Sequence, residues 1–235
     1  MFTSFRLVLV AALALSVSAC ATRTLSTTDK LTRDVAQPKI LLMPADVELS
    51  ELTAGGLTEL NADWTLSGQR NLKAALNEHL AKLNARFSEY QPLAQDDPHY
   101  DTFQQLQKLH GVTGINIQNY AFPPAPGLPG KEGKFNWALG PATTMLAEST
   151  DSQYALFVWL RDSYTSSGRR ALKLAAAILF GVQMEGGKQV GYASLVDLKT
   201  GEIVWFNLLA RESGDLRDLA SARESVDTLL TGLPQ

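Results

Sequence analysis

The chain has a single cysteine, Cys20, so no intramolecular disulfide can form and the fold must be held by packing alone. It has no excess of cations: Lys and Arg number 21 against 24 Asp and Glu, a net charge of −3. Nucleic acid, whose binding rests on clustered basic residues, is thereby disfavoured as a partner. No apolar run approaches the roughly 20 residues that a membrane-crossing helix needs. No long stretch alternates polar with apolar residues either, which argues against a self-sufficient β-barrel pore. No internal repeat is visible.

What is present begins at the N terminus. Arg6 precedes an unbroken apolar run at 7–15 that ends in small residues, the layout of a secretory signal. The leader closes as Leu15-Ser16-Val17-Ser18-Ala19-Cys20. This resembles the bacterial lipobox, in which the cysteine is acylated and becomes the new N terminus; Val17 stands where that pattern prefers leucine. An ordinary cleaved leader would instead leave an unpaired thiol in an oxidising compartment. The resemblance implies a signal peptide at 1–19 and a lipid-anchored Cys20. One acyl chain binds a membrane only marginally, whereas two or more bind stably. Ala21, rather than aspartate, after the cysteine implies sorting to the outer membrane, on its periplasmic face. Arg6 is the leader's only charged residue, so the mature chain is one unit more acidic than the whole.

Residues 20–37 are rich in Thr, Ser and charge without apolar periodicity, and read as a flexible tether. Residues 38–235 suffice for a single domain with a real core. Residues 39–43 form a buried strand stopped by Pro44. Val47 and Leu49 alternate toward Ala54-Gly55-Gly56, and 57–60 returns as the second strand of a hairpin. Ser67 is placed to cap a helix whose apolar residues Leu72, Leu76, Leu80, Leu83 and Phe87 recur at steps of three and four. Asp96-Asp97-Pro98 opens a second helix, with Phe103, Leu106 and Leu109 on one face and Gly111 as its stop. Residues 121–134, with four prolines and three glycines, are a surface loop or binding arm. A short helix at 139–148 and a central strand at 154–160 follow. A helix at 169–180, a hairpin pairing 190–197 with 203–209 around Gly201, and a last helix at about 216–230 complete the chain. Interleaved strands and helices without a strict period point to an α/β fold, a mixed β-sheet packed by helices in a two- or three-layer sandwich.

Four pieces carry a resemblance: Lys39-Ile40-Leu41-Leu42-Met43-Pro44, the helix after Ser67, Tyr154-Ala155-Leu156-Phe157-Val158, and the closing hairpin from Val196 through Asp197-Leu198-Lys199-Thr200-Gly201-Glu202 to Trp205. Their order resembles the small α/β family of bacterial envelope lipoproteins that includes the curli-export lipoprotein CsgG, the exopolysaccharide lipoprotein PelC and the N-terminal domain of TolB. The hairpin at 47–60 and the proline-rich arm lie outside that pattern.

No arrangement of residues announces catalysis. His79, His99 and His110 are scattered, and none has a metal partner at i+3 or i+4. Asp96, Asp97, His99 and Asp101 cluster at a helix start, where acidic residues serve as caps. Around Gly187-Lys188, Val182 occupies the first glycine position of a phosphate loop and Gln189 replaces its hydroxyl, so a flexible turn is the simpler reading. There is no Gly-x-Ser-x-Gly elbow; the serines at 163–167 read as a polar strand end. The adjacent Asp96 and Asp97 lack the opposed geometry of glycosidase carboxylates. Trp137, Trp159 and Trp205 read as core or sheet-face residues. No enzyme, cofactor or metal is expected.

The segment 169–180 carries the one functional feature besides Cys20. Leu172, Ala175, Ala176, Leu179 and Phe180 form an apolar face while Arg169, Arg170 and Lys173 crowd its first turns, where cations oppose the helix dipole. Two readings stand: a core helix covering the sheet with its cations solvated, or an interfacial helix at a lipid surface or at a partner contact, including one between copies in a homo-oligomer. The functional expectation is a non-catalytic, membrane-anchored accessory of envelope assembly or export that contacts an envelope protein. The alternative is an envelope hydrolase or small-ligand-binding lipoprotein with its site near the 121–134 loop.

Overall fold

A computed structural model describes residues 21–28, 31, 37–83, 85–124, 127–131, 133–180 and 187–234. The elements, in chain order, are β1 (Ala21–Ser26), β2 (Lys39–Leu42), β3 (Asp46–Leu52), β4 (Thr58–Leu60), α1 (Ala62–Leu80), β5 (Arg86–Glu89), α2 (Tyr100–Tyr120), α3 (Thr144–Thr150), β6 (Tyr154–Thr165), α4 (Ser167–Phe180), β7 (Gln189–Asp197), β8 (Ile203–Arg211) and α5 (Leu219–Leu229). The eight strands make one open mixed sheet in the order β1-β8-β7-β6-β2-β5. One edge of β6 is shared: β2 pairs parallel with its first residues and β3 with its last, and β4 pairs outside β3.

Helices cover both faces, so the three-layer form of the sandwich is the one adopted. On one face α1 and α5 bury Leu72, Leu76, Val226 and Leu229 against Ile40, Leu156, Leu195 and Trp205. On the other, α2 and α3 bury Phe103, Leu106, Ile117 and Leu146 against Leu41, Phe157, Tyr192 and Phe206. The near-continuous apolar start of β6, Tyr154 to Val158, is buried because both its faces are covered.

Four expectations need correction. The tether at 20–37 does not hold for Ala21–Ser26, which forms the sheet's edge strand, with Ala21 opposite Ala210 and Ser26 opposite Trp205. Its polar residues suit an edge, where one side of the strand faces water. Helix α1 is capped by Asn61, whose Oδ1 accepts the Trp64 N–H at 3.0 Å, and not by Ser67. It ends at Leu80; Phe87 continues the helical stride by accident and sits in β5, still packed on the same core. Gly111 does not stop α2, which runs on through it: the Trp159 ring packs beside Gly111, and the Tyr192 ring occupies the space that a side chain on Gly114 would take.

Candidate functional site

The strand directions gather a distinctive set of elements at one end of the sheet. β6 runs toward that end and delivers α4; β3 ends beside it in the turn to β4; β7 starts there; β8 finishes there; and β1 begins there. Cys20 itself lies outside the described residues, but Ala21, its neighbour in sequence, is level with Ala210, Val190 and Arg161 across the sheet.

Helix α4 grows from this end. Ser166 caps it, its Oγ accepting the Arg169 N–H at 3.1 Å. Its first turn rests on the β3–β4 turn: a Cβ on Gly168 would lie 3.5 Å from Ala54, and one on Gly56 would lie 3.3 Å from the Arg169 guanidinium. Beyond that seat, only Lys173 and Ala176 are half-buried, and the rest of 170–179 is exposed. The helix is turned with its leucines outward: Leu174, Ile178 and Leu179 are 63%, 72% and 71% exposed, and Leu172 is 45% exposed. Arg169 is buried and Lys173 half-buried, so two of the three cations face the protein while Arg170 faces water. The side chain of Phe180 lies outside the described residues. This departs from the core-helix reading: Leu172 and Leu179 are exposed and belong to neither core cluster. Each such side chain left in water forgoes about 1.5–3 kcal/mol of burial.

Beneath α4 lies a polar knot. The buried Asp162 carboxylate accepts from the Tyr164 hydroxyl at 2.6 Å, Gln189 Nε2 at 2.8 Å and the Leu216 N–H at 3.3 Å. Burial pushes this carboxyl above its ordinary value against the pull of those bonds, and burial likewise raises the Tyr164 phenol. Arg217 stacks over the Tyr164 ring at 3.8 Å and is tied to Asp215 at 2.7 Å, which holds the Asp215 carboxyl low. All three bonds converge on Asp162 Oδ2 and tie β6, β7 and Leu216 of the loop before α5 together.

The remaining candidates do not converge into a catalytic set. His110 Nε2 stands 3.0 Å from Ser194 Oγ, the spacing of a nucleophile and its base, but both are sealed in the core and the imidazole is stacked on Phe157. Burial pulls His110 down to about 3, so it stays neutral. His79 pairs with Asp227 at 2.7 Å on the surface. Asp97 accepts the His99 N–H at 2.8 Å, a turn-forming role at the start of α2. Among the described residues no group of three His, Cys, Asp or Glu could hold a metal ion. The 181–186 part of the phosphate-loop comparison lies outside the described residues; a Cβ on Gly187 would meet the Ser163 carbonyl at 2.0 Å, a close backbone approach that extends the β6–β7 pairing. Trp205 is fully buried, and Trp137 and Trp159 are packed at the edge of the second core.

The 121–134 arm folds back onto the body through Arg23, which donates to the Pro123 carbonyl at 2.7 Å, and through Lys131 over the Trp137 ring. The cavity under it measures about 80 Å³, against the roughly 300–1,000 Å³ of small-molecule sites. A larger cavity, about 350 Å³, opens at the carboxyl ends of β2 and β5, lined by Met43, Leu76 and Tyr90 and crossed by the Lys73–Glu89 ion pair at 2.8 Å.

No family model matches the chain, and no curated protein matches it. Among solved structures, it is similar to the PelC dodecamer from Paraburkholderia phytofirmans, at 12% identity over 91% of this chain and 96% of that one, with a TM-score of 0.42. It is similar to the LpoB C-terminal domain from Salmonella enterica, at 16% identity over 77% and 88%, TM-score 0.28. A lipoprotein from Neisseria meningitidis is similar at 12% identity over 75% and 81%, TM-score 0.28.

Sequence reasoning placed the apolar stripe of α4 on 172, 175, 176, 179 and 180 and missed Leu174 and Ile178, which stand exposed beside Leu179. The signal was there: after Arg170 the helix contains no polar residue but Lys173. Whichever way it turned, it had to expose apolar side chains.

Proposed function

We propose that this chain is a lipid-anchored, non-catalytic protein of the bacterial envelope, held by acyl chains on Cys20 at the periplasmic face of the outer membrane, and that it serves there as an accessory in envelope assembly or export. The observation that carries this reading is that β1 begins at Ala21, one residue beyond the lipobox cysteine, so the fold is built up to the anchor without a spacer. The non-catalytic part is supported by the state of the one serine–histidine contact among the described residues, His110 with Ser194, which is buried in the core. Such a protein acts by holding a surface at a fixed place.

The test is the fate of the chain when Cys20 is changed to Ala. The variant is expected to leave the membrane fraction for the soluble periplasm, and mass spectrometry of the wild type is expected to show an acylated N-terminal cysteine. Recovery of the variant in the outer membrane with unchanged detergent dependence refutes the acyl anchor.

A further inference from the structure

The outward face of α4 and the anchor strand share one end of the sheet. Three interstrand spacings separate β1 from β6, about 14 Å. One residue separates Ala21 from the acylated sulfur, a reach of about 3.5 Å. Acyl chains on Cys20 therefore draw this end of the sheet to the bilayer surface, and what stands at this end is a 14-residue helix with Leu172, Leu174, Ile178 and Leu179 bare. The β3–β4 turn that seats α4 adds a fifth bare apolar side chain, Leu57, 68% exposed.

The chemistry of the surface suits a lipid interface. Helix α4 contains no carboxylate, its one outward cation is Arg170 at the first turn, and the rest of its outward face is Leu, Ile and Ala. A helix of that make-up lies in the headgroup layer with its apolar side toward the acyl chains, and it tolerates anionic lipids. It does not cross: no described helix is long and apolar enough to span a membrane. We infer that α4, with Leu57, is a membrane-docking face that lies in the same leaflet as the Cys20 acyl chains and fixes the orientation of the domain on the bilayer. Anchor and helix give two attachment points on one rigid sheet, so the domain cannot swing about its lipid. The inference rests on the acyl anchor proposed above.

The experiment uses the full mature, lipidated chain in vesicles of phosphatidylethanolamine with a minority of phosphatidylglycerol. Because the Cys20 sulfur is acylated, a cysteine introduced by Ile178→Cys or Leu174→Cys is the only free thiol and takes a nitroxide label. In vesicles these labels are expected to become several-fold more accessible to oxygen than to a water-soluble nickel chelate, while a label introduced by Arg70→Cys on α1 stays accessible to the chelate. Vesicle-bound protein whose labels at 174 and 178 remain as open to the chelate as that at 70 overturns docking and leaves the anchor standing. Strong spin–spin broadening between labels at 178, with no gain in oxygen access, assigns the face to a second copy and also overturns docking. A wild-type chain that mass spectrometry shows unacylated sinks the anchor reading instead. The triple variant Leu174→Gln, Ile178→Gln, Leu179→Gln guards against misfolding as an explanation: it is expected to keep the wild-type melting profile, since these side chains contact no core, yet to lose the oxygen-accessible signal at a label placed by Leu172→Cys.

Discussion

The ring of Tyr192 fills the place where a side chain on Gly114 would stand: a Cβ built there would lie 2.0 Å from Tyr192 Cε2. The Tyr192 hydroxyl donates to the Gly111 carbonyl on the same helix, and its ring stacks on Trp159 and Phe206. One aromatic side chain thus sets how closely α2 approaches the sheet, and Gly114 makes the room for it, while Gly111 lies against Trp159. Gly114→Ala is expected to destabilise the fold by about 1–3 kcal/mol, the usual cost of overpacking, despite alanine's better helix propensity. Denaturant unfolding measures it; an unchanged or raised midpoint contradicts this packing.

The buried imidazole of His110 makes stability depend on pH. Its folded value of about 3 lies below the ordinary 6.5, so in acid the unfolded chain takes up a proton that the folded chain refuses. Its contribution is therefore full above pH 6.5 and is lost as pH falls from there toward 3, by up to about 1.4 kcal/mol per pH unit. Asp162 works in the opposite sense, because its raised carboxyl accepts a proton in the folded state first. The comparison that isolates His110 is wild type against His110→Phe: the variant's stability is expected to fall less steeply over this window, whatever its absolute loss from the orphaned Ser194 hydroxyl. Parallel curves contradict a buried neutral imidazole.

Asn207 joins three elements at the anchor edge. Its Nδ2 donates to the Thr228 and Leu229 carbonyls at the end of α5, at 3.0 and 2.9 Å, and its Oδ1 accepts from Thr24 of β1 at 3.0 Å. Asn207→Leu keeps the branching at Cγ but strips these bonds, at an expected cost of about 1–3 kcal/mol. Amide hydrogen exchange is expected to accelerate in β1 and in the last turn of α5 while β6 stays protected. A uniform loss of protection contradicts a local role.

Asn61→Ala removes the side-chain cap of α1 and is expected to cost about 1 kcal/mol, whereas Ser67→Ala, inside the same helix, is expected to cost less than half of that. Thermal unfolding of the two variants distinguishes the observed start from the one the sequence suggested.

Much of the fold was legible because it rests on local pattern. The hairpin at 47–60, the buried start of β6, the closing hairpin around Gly201 and the last helix all declare themselves through periodicity and turn chemistry, and each is present. The misses share one cause. β1 is polar and β5 is only four residues, so neither carries an apolar period; both exist because a neighbouring strand offers an edge to pair with. Gly111 looked like a stop because the residues that hold its turn of helix against the sheet, Trp159 beside it and Tyr192 on its carbonyl, are distant in the chain.

The sequence by itself determined an apolar N-terminal run followed by the single cysteine, Cys20, the absence of intramolecular disulfides, the alternation of strand and helix, and a helix at 169–180 with too little polarity to hide. These follow from composition and from contacts within one or two turns of chain. Only the tertiary structure decided which way that helix faces and what stands beside it. Its rotation is set by the seat of Gly168 and Arg169 on the β3–β4 turn, and its nearness to β1 by the pairing of β1 with β8, both relationships between residues more than a hundred positions apart that no local pattern encodes.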